Sequence, residues 1–150
     1  MKLTPLFALV ALLGFAGCAT ESTPPPPRPF VGILSADKIG NGPRDKSSYD
    51  VLVHYENVEP DKFEIKIGFG YIPGEQVKKK IGPTSVGVYA ISKSEVLHNS
   101  SGDVHFTIDP SAVTNLNGVL NGKIHAILSK YPHGKEWVVT SYNVYELQPD

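Results

Sequence analysis

The clearest pattern in the chain is a run of strict alternation. Phe63, Ile65, Ile67, Phe69 and Tyr71 are apolar, and Glu64, Lys66, Gly68 and Gly70 stand between them. A period of two places the five large residues on one side of a β-strand and the polar or small ones on the other. Tyr49, Val51, Val53 and Tyr55 alternate in the same way with Asp50, Leu52, His54 and Glu56. Val104, Phe106 and Ile108 do so with His105 and Thr107. Phe30 to Leu34 predicts a short first strand, and Val86, Val88 and Ala90 another, with Ser92 to His98 left ambiguous. Val77 to Ile81, carrying Lys78, Lys79 and Lys80, predicts an edge strand whose charge guards it against unwanted pairing. Lys123 to Lys130 and Glu136 to Leu147 predict a final hairpin around Tyr131-Pro132-His133-Gly134.

Turn chemistry separates these runs. Ala36 to Ser48 reads as a polar loop with an Asn41-Gly42-Pro43 signal. Glu59-Pro60-Asp61, Pro73-Gly74, Asn99 to Gly102, Asn117-Gly118 and Asn121-Gly122 mark further turns. Asp109 as N-cap and Pro110 at the first helical position start one helical turn. Seven or eight short strands with almost no helix predict an all-β fold, an antiparallel β-sandwich with Greek-key connections. The strand order, with its Val-x-Phe-x-Ile strand, short corner and final hairpin, resembles an immunoglobulin or fibronectin type III sandwich. That resemblance is one of pattern and implies no activity. The Cys…Trp…Cys signature of antibody domains is absent, and a closed barrel or a transthyretin-like sandwich would give nearly the same string.

The final strand breaks the rule of one apolar face. Trp137, Val139, Tyr145 and Leu147 share one parity, and Val138, Tyr142 and Val144 the other. Two readings follow. A bulge switches the buried parity near Ser141 to Asn143. Alternatively, one side covers core while the other offers aromatics to a partner, as aromatic residues at interfaces do, and Trp137, Tyr142 and Val144 are the candidate partner-binding residues of the strand. An edge strand here could also pair with a partner's strand.

Patterning changes character upstream of Phe30. Lys2 precedes an apolar run, Leu3 to Phe15, that ends in Ala16 and Gly17. A charged start, a modest apolar stretch and small residues predict a secretory signal peptide over residues 1–17. The run falls short of the roughly 20 apolar residues of a membrane-spanning helix. Gly14 to Cys18 resembles the lipobox of bacterial lipoproteins, with Ala16, Gly17 and Cys18 matching it. Phe15 departs from it, because an aliphatic residue is usual at that place. The resemblance implies cleavage between Gly17 and Cys18, a diacylglyceryl thioether on Cys18 and acylation of the new amine. It also implies a bacterial cell-envelope location facing the periplasm or the cell surface. Ala19 stands where aspartate marks inner-membrane retention in enterobacterial relatives, which points to the outer membrane. Cys18 is the single cysteine, so an internal disulfide is impossible, and lipidation accounts for a lone exported thiol. Stable anchoring takes two acyl chains at about 0.8 kcal/mol per buried CH₂, and a diacylglyceryl group supplies two. The plainer alternative is an ordinary signal peptide that leaves a stray cysteine.

Residues 18–29 read as the anchor and a tether. Pro24-Pro25-Pro26-Pro27-Arg28-Pro29 predicts an extended polyproline rod. Its six residues reach roughly 20 Å at about 3.1 Å each, and a stand-off spacer is the commoner use of such a segment than a recognition motif. Residues 30–150 are of a size for one domain with its own core.

The formal net charge is −1. Loss of Lys2 lowers Lys+Arg from 14 to 13 against 15 Asp+Glu, so the mature chain carries about −2. No basic footprint for nucleic acid results. His54, His105 and His125 fall opposite the apolar face of their strands, His98 ends the ambiguous stretch, and His133 lies in the hairpin loop. His54 and His105 would be neighbours in an immunoglobulin-like order, but no short His-x-His or His-x-x-x-His spacing predicts a metal site. No Gly-x-Ser-x-Gly elbow is present, Gly68-Phe69-Gly70 lies inside a strand rather than a phosphate loop, and the carboxylates are scattered. The sequence therefore predicts a membrane-anchored protein-binding or assembly module with a protein partner in the envelope, and no catalytic residue, cofactor or metal. A structural protein bound to peptidoglycan or another polymer is the first alternative. An enzyme or metal protein whose site assembles only in the fold is the second.

Overall fold

The computed structural model describes residues 24–74, 88–131 and 138–149. Among them lie seven strands: β1 (Phe30–Ile39), β2 (Ser48–Glu56), β3 (Phe63–Ile72), β4 (Val88–Val96), β5 (Gly102–Ile108), β6 (Val119–Lys130) and β7 (Val138–Glu146). They form a three-stranded sheet in the order β1-β2-β5 and a four-stranded sheet in the order β4-β3-β6-β7. Paired strands are antiparallel throughout. The chain changes sheet between β2 and β3, β4 and β5, and β5 and β6. That is a Greek-key, immunoglobulin-like sandwich. Because β4 pairs with β3, the division is three strands against four, where an antibody constant domain places its fourth strand in the other sheet.

The alternating runs build the core as their period requires. Tyr49, Val51, Val53 and Tyr55 of β2 face Phe63, Ile65, Ile67, Phe69 and Tyr71 of β3 across the sandwich, and all are buried. Ile124, Ala126 and Leu128 of β6 and Phe106 and Ile108 of β5 complete the interior. Fully burying side chains of this size contributes about 1.5–3 kcal/mol each. The helical turn, Ser111–Thr114, closes one end by burying Val113. The Asp109 carboxylate accepts the Ser111 N–H at 2.9 Å and so starts that turn.

The first strand is longer than the sequence pattern predicts. Alternation fails at Leu34 because the pairing with β2 slips between Ile33 and Ser35. The bulge resets the parity, so that Ala36 follows Ile33 inward and the pairing continues to Ile39. The expected loop from Ala36 thus begins only beyond Ile39. Ser92 to Val96 extends β4, and β6 starts at Val119. The expected strand over Val77 to Ile81 lies outside the described residues.

The open edge of β1 is closed by side chains of the last strand. Ser141 Oγ accepts the Val31 N–H at 3.2 Å, and Asn143 Oδ1 accepts the Ile33 N–H at 3.0 Å. Two strands of different sheets are joined in this way, and edge amides that would otherwise lack partners are satisfied.

Candidate functional site

The outward face of the four-stranded sheet is built around two positions that carry no side chain. On β3 the outward residues are Glu64, Lys66, Gly68 and Gly70. Gly68 lies between Ile91 of β4 and His125 of β6, and His125 lies beside Val144 of β7. One step along, Lys66 lies between Ser94 and Ile127, with Tyr142 beyond. Tyr89 stands opposite Gly70. Each glycine has its own reason. A Cβ on Gly68 would come within 1.9 Å of the Ala90 carbonyl oxygen, so β4 runs too close for any side chain. A Cβ on Gly70 would come within 2.5 Å of His125 Nε2, so the imidazole occupies the space a side chain would need.

His125 is the centre of this face. Its ring stacks on Tyr89 with centroids 5.5 Å apart and planes 23° from parallel. Tyr142 lies on its other side at 5.6 Å and 44°. His125 Nδ1 and the Tyr142 hydroxyl are hydrogen-bonded. His125 retains only 3% of its exposure, and its Nε2 is buried with no hydrogen-bond partner. Ile127 and Ser129 are likewise buried although they point outward. Burial holds the His125 pKa below its ordinary 6.5, and Lys123 lowers it further. Burial raises the Tyr142 pKa, with Tyr89 adding to the shift. At neutral pH the cluster is therefore uncharged.

Around this buried centre the surface is exposed and apolar. Tyr89, Ile91, Val139, Tyr142 and Val144 all face solvent. The flanking charges are paired among themselves, Lys66 with Glu64 at 3.4 Å and Lys123 with Glu146 at 3.3 Å. The result is an uncharged aromatic and aliphatic strip bordered by ion pairs. Such a surface favours association by burial of apolar area, at about 25 cal/mol per Å².

Both readings of the last strand contribute. Pairing between β6 and β7 slips between Leu128 and Ser129, which leaves Thr140 bulged and carries Val139 to the outward side. The expected parity switch thus falls at Thr140, just before the Ser141 to Asn143 segment. It does not bury Tyr142 or Val144, which stay outward and exposed, while Tyr145 and Leu147 turn to the core. Trp137, Gly17 and Cys18 lie outside the described residues. Tyr89, Ile91 and His125 belong to this face, and sequence reading placed none of them in a site. The available signal was the pair of glycines at successive outward positions of a central strand, since such a gap is filled by something that lies across it. A place opposite the apolar face of its strand does not leave His125 solvated. Neighbouring strands bury it because β3 offers it an empty shelf.

The three-stranded sheet presents a different outward face. His54 Nδ1 lies 2.6 Å from Asp103 Oδ1, and Nε2 lies 3.0 Å from Glu56 Oε1. The bonds to Glu56 and then Asp103 raise the His54 pKa above 6.5. His105 is on the neighbouring strand, as the sequence predicted, but it leans toward Asp50 at 3.6 Å. The two rings are each taken up by carboxylates. Among the described residues no group of three or more His, Cys, Asp or Glu side chains is placed to hold a metal ion.

No family model and no curated protein matches the chain. Among solved structures, it is similar to a bacterial adhesin from Mobiluncus mulieris containing intramolecular disulfide, isopeptide and ester bond cross-links. That adhesin was determined in two space groups, with TM-scores of 0.33 and 0.27 at 15% and 16% identity. Each alignment covers 81% of this chain and 58% of the adhesin chain, so the protein spans less than two thirds of that neighbour's length. Scores this low leave the sandwich resting on its own strand order and pairing.

Proposed function

We propose that the chain is a bacterial envelope lipoprotein, anchored by a lipid on Cys18, whose sandwich is a protein-binding or assembly module. Its docking surface is the outward face of the four-stranded sheet. The observation that carries this reading is the uncharged strip of Tyr89, Ile91, Tyr142 and Val144, exposed over a buried His125 and bordered by paired charges.

The tether suits display of that face. Residues 24–28 are exposed and form neither helix nor strand, and the Arg28 carbonyl accepts a hydrogen bond from Asn57 Nδ2 at 3.2 Å. Phe30 opens β1 beside Glu56, so the tether enters at the end of the sandwich that carries the loop from β2 to β3. The long axes of the sheets then run away from the membrane, and their outward faces stand clear of the lipid surface.

Two substitutions test the two halves of the reading. Cys18→Ala abolishes incorporation of labelled fatty acid and moves the chain out of the membrane fraction. A mutant that stays in the membrane, or a wild-type chain that takes up no label, contradicts the anchor. Tyr142→Ala removes a stoichiometric partner from complexes isolated in native membranes, and an unchanged circular-dichroism spectrum shows that the fold survives loss of the hydroxyl bonded to His125. Unchanged recovery of that partner contradicts the docking surface.

A further inference from the structure

His125 is an expensive choice for its position. The shelf over Gly70 is lined by Tyr89, Tyr142, Ile91 and Val144. A phenylalanine would fill it without leaving a polar nitrogen buried and unpaired. The imidazole instead bonds Tyr142 through Nδ1 and stacks on Tyr89, so one ring fixes both tyrosines that dominate the exposed strip. Its Nε2 is the single buried side-chain polar atom without a partner among the described residues.

The neutral ring fits this place and the protonated ring does not. A protonated imidazole has two N–H groups to satisfy. The Tyr142 hydroxyl takes one, and among the described residues Nε2 has no hydrogen-bond partner. Among the described residues no carboxylate stands beside the ring in register. β3 contributes Gly68 and Gly70, β4 contributes Tyr89 and Ile91, and β7 contributes Tyr142 and Val144. On β6 itself the nearest outward charge is Lys123, which repels a cation and is paired with Glu146. A stacked tyrosine attracts a cation only weakly against the cost of burying it unpaired. Acid therefore drives the ring off its shelf, and the two tyrosines lose what orients them.

We infer that His125 is a positioning residue and a pH-sensitive latch: it holds Tyr89 and Tyr142 in a binding-ready arrangement at neutral pH and releases them in acid. As regulation of the docking face, this rests on the function proposed above. The latch itself is read without a partner.

Hydroxyl-radical labelling of the full chain in its membranes, mapped by mass spectrometry between about pH 8 and about pH 5, reports on it directly. The latch predicts that labelling of Tyr89 and Tyr142, already 37% and 48% exposed, rises measurably, up to about twofold, and reversibly on acidification, with a midpoint below 6.5. His125→Phe removes the titrating ring while keeping its bulk, and it makes the labelling independent of pH. If that variant does not fold, His125→Gln serves, since it also cannot titrate there. A wild-type protein with no pH step overturns the latch, and so does a step that survives either variant. A clear step accompanied by partner recovery that Tyr142→Ala leaves unchanged supports the latch and removes the docking reading. No step, with recovery lost in Tyr142→Ala, overturns the latch and keeps the docking surface.

Discussion

The two outward faces of this sandwich hold the same residue type in opposite circumstances. On the three-stranded sheet His54 is gripped by Asp103 and Glu56, and the face is charged. On the four-stranded sheet His125 lies beneath two tyrosines, with no acid beside it in register among the described residues, and the face is apolar. Both histidines sit at outward positions of a central strand and look alike in sequence. Their cross-strand neighbours decide the difference: Asp103 stands opposite His54, whereas Gly68 stands opposite His125. A face whose charges are satisfied internally by its own histidine has little to offer a partner. A face whose histidine organises exposed aromatics does.

The glycines break this comparison most sharply. Gly68→Ala forces a Cβ to within 1.9 Å of the Ala90 carbonyl, and only movement of β4 relieves it. The expected loss is about 3 kcal/mol. Gly70→Ala meets His125 Nε2 at 2.5 Å and Asn121 Oδ1 at 2.6 Å, so it displaces the imidazole at about 1–2 kcal/mol. Gly32→Ala, opposite His54 on the other sheet, meets only the ring tip of exposed Phe30 at 2.9 Å. Phe30 swings aside there, and the effect stays within about 0.5 kcal/mol. Urea midpoints at a constant m-value rank the three variants, and equal losses at Gly70 and Gly32 would remove the distinction between the faces.

The pH dependence of stability separates the two histidines next. The His125 pKa is lowered on folding, so between its folded value and 6.5 the unfolded chain binds more protons. Its contribution is fully present above 6.5 and is lost as the pH falls. The His54 pKa is raised, so its contribution is fully present below 6.5 and is lost as the pH rises through the folded value. His125→Phe flattens the acid side of the stability curve, and His54→Gln flattens the side above 6.5. Identical curves for the two variants would contradict the opposite environments assigned here.

The smallest effect belongs to an exposed network away from both faces. Hydrogen bonds from Lys130 and then Lys62 pull the Glu59 carboxyl down to about 2. Stability from this group is present above 4.5 and is lost as the pH falls toward about 2. Glu59→Gln removes only that acid-side component, and salt screens the remaining difference. A change at neutral pH as large as that of Gly70→Ala would place Glu59 in the core energetics rather than outside them.

The sequence made most of the sandwich legible because the central strands are half-buried and keep a period of two. Tyr49 to Tyr55, Phe63 to Tyr71 and Val104 to Ile108 appear in the structure with the faces their alternation assigns. The two bulges were unequally legible. Leu34 hid the second half of β1, because an added residue erases the periodicity that marks a strand, whereas the mixed parity of β7 signalled a switch, which falls at Thr140. The candidate face was only half visible. Tyr142 and Val144 stood out as apolar residues of the wrong parity, but Tyr89 and His125 join them through register, which no single strand records.

The central claim is that a partner docks on the four-stranded face of a membrane-anchored sandwich. A photo-crosslinking residue at Val144, compared with one at Leu52 on the three-stranded face, tests it in intact cells. The account predicts a discrete adduct from Val144 that disappears with Tyr142→Ala, and none from Leu52. Adducts of equal yield from both positions, or an adduct from Leu52 alone, would contradict it.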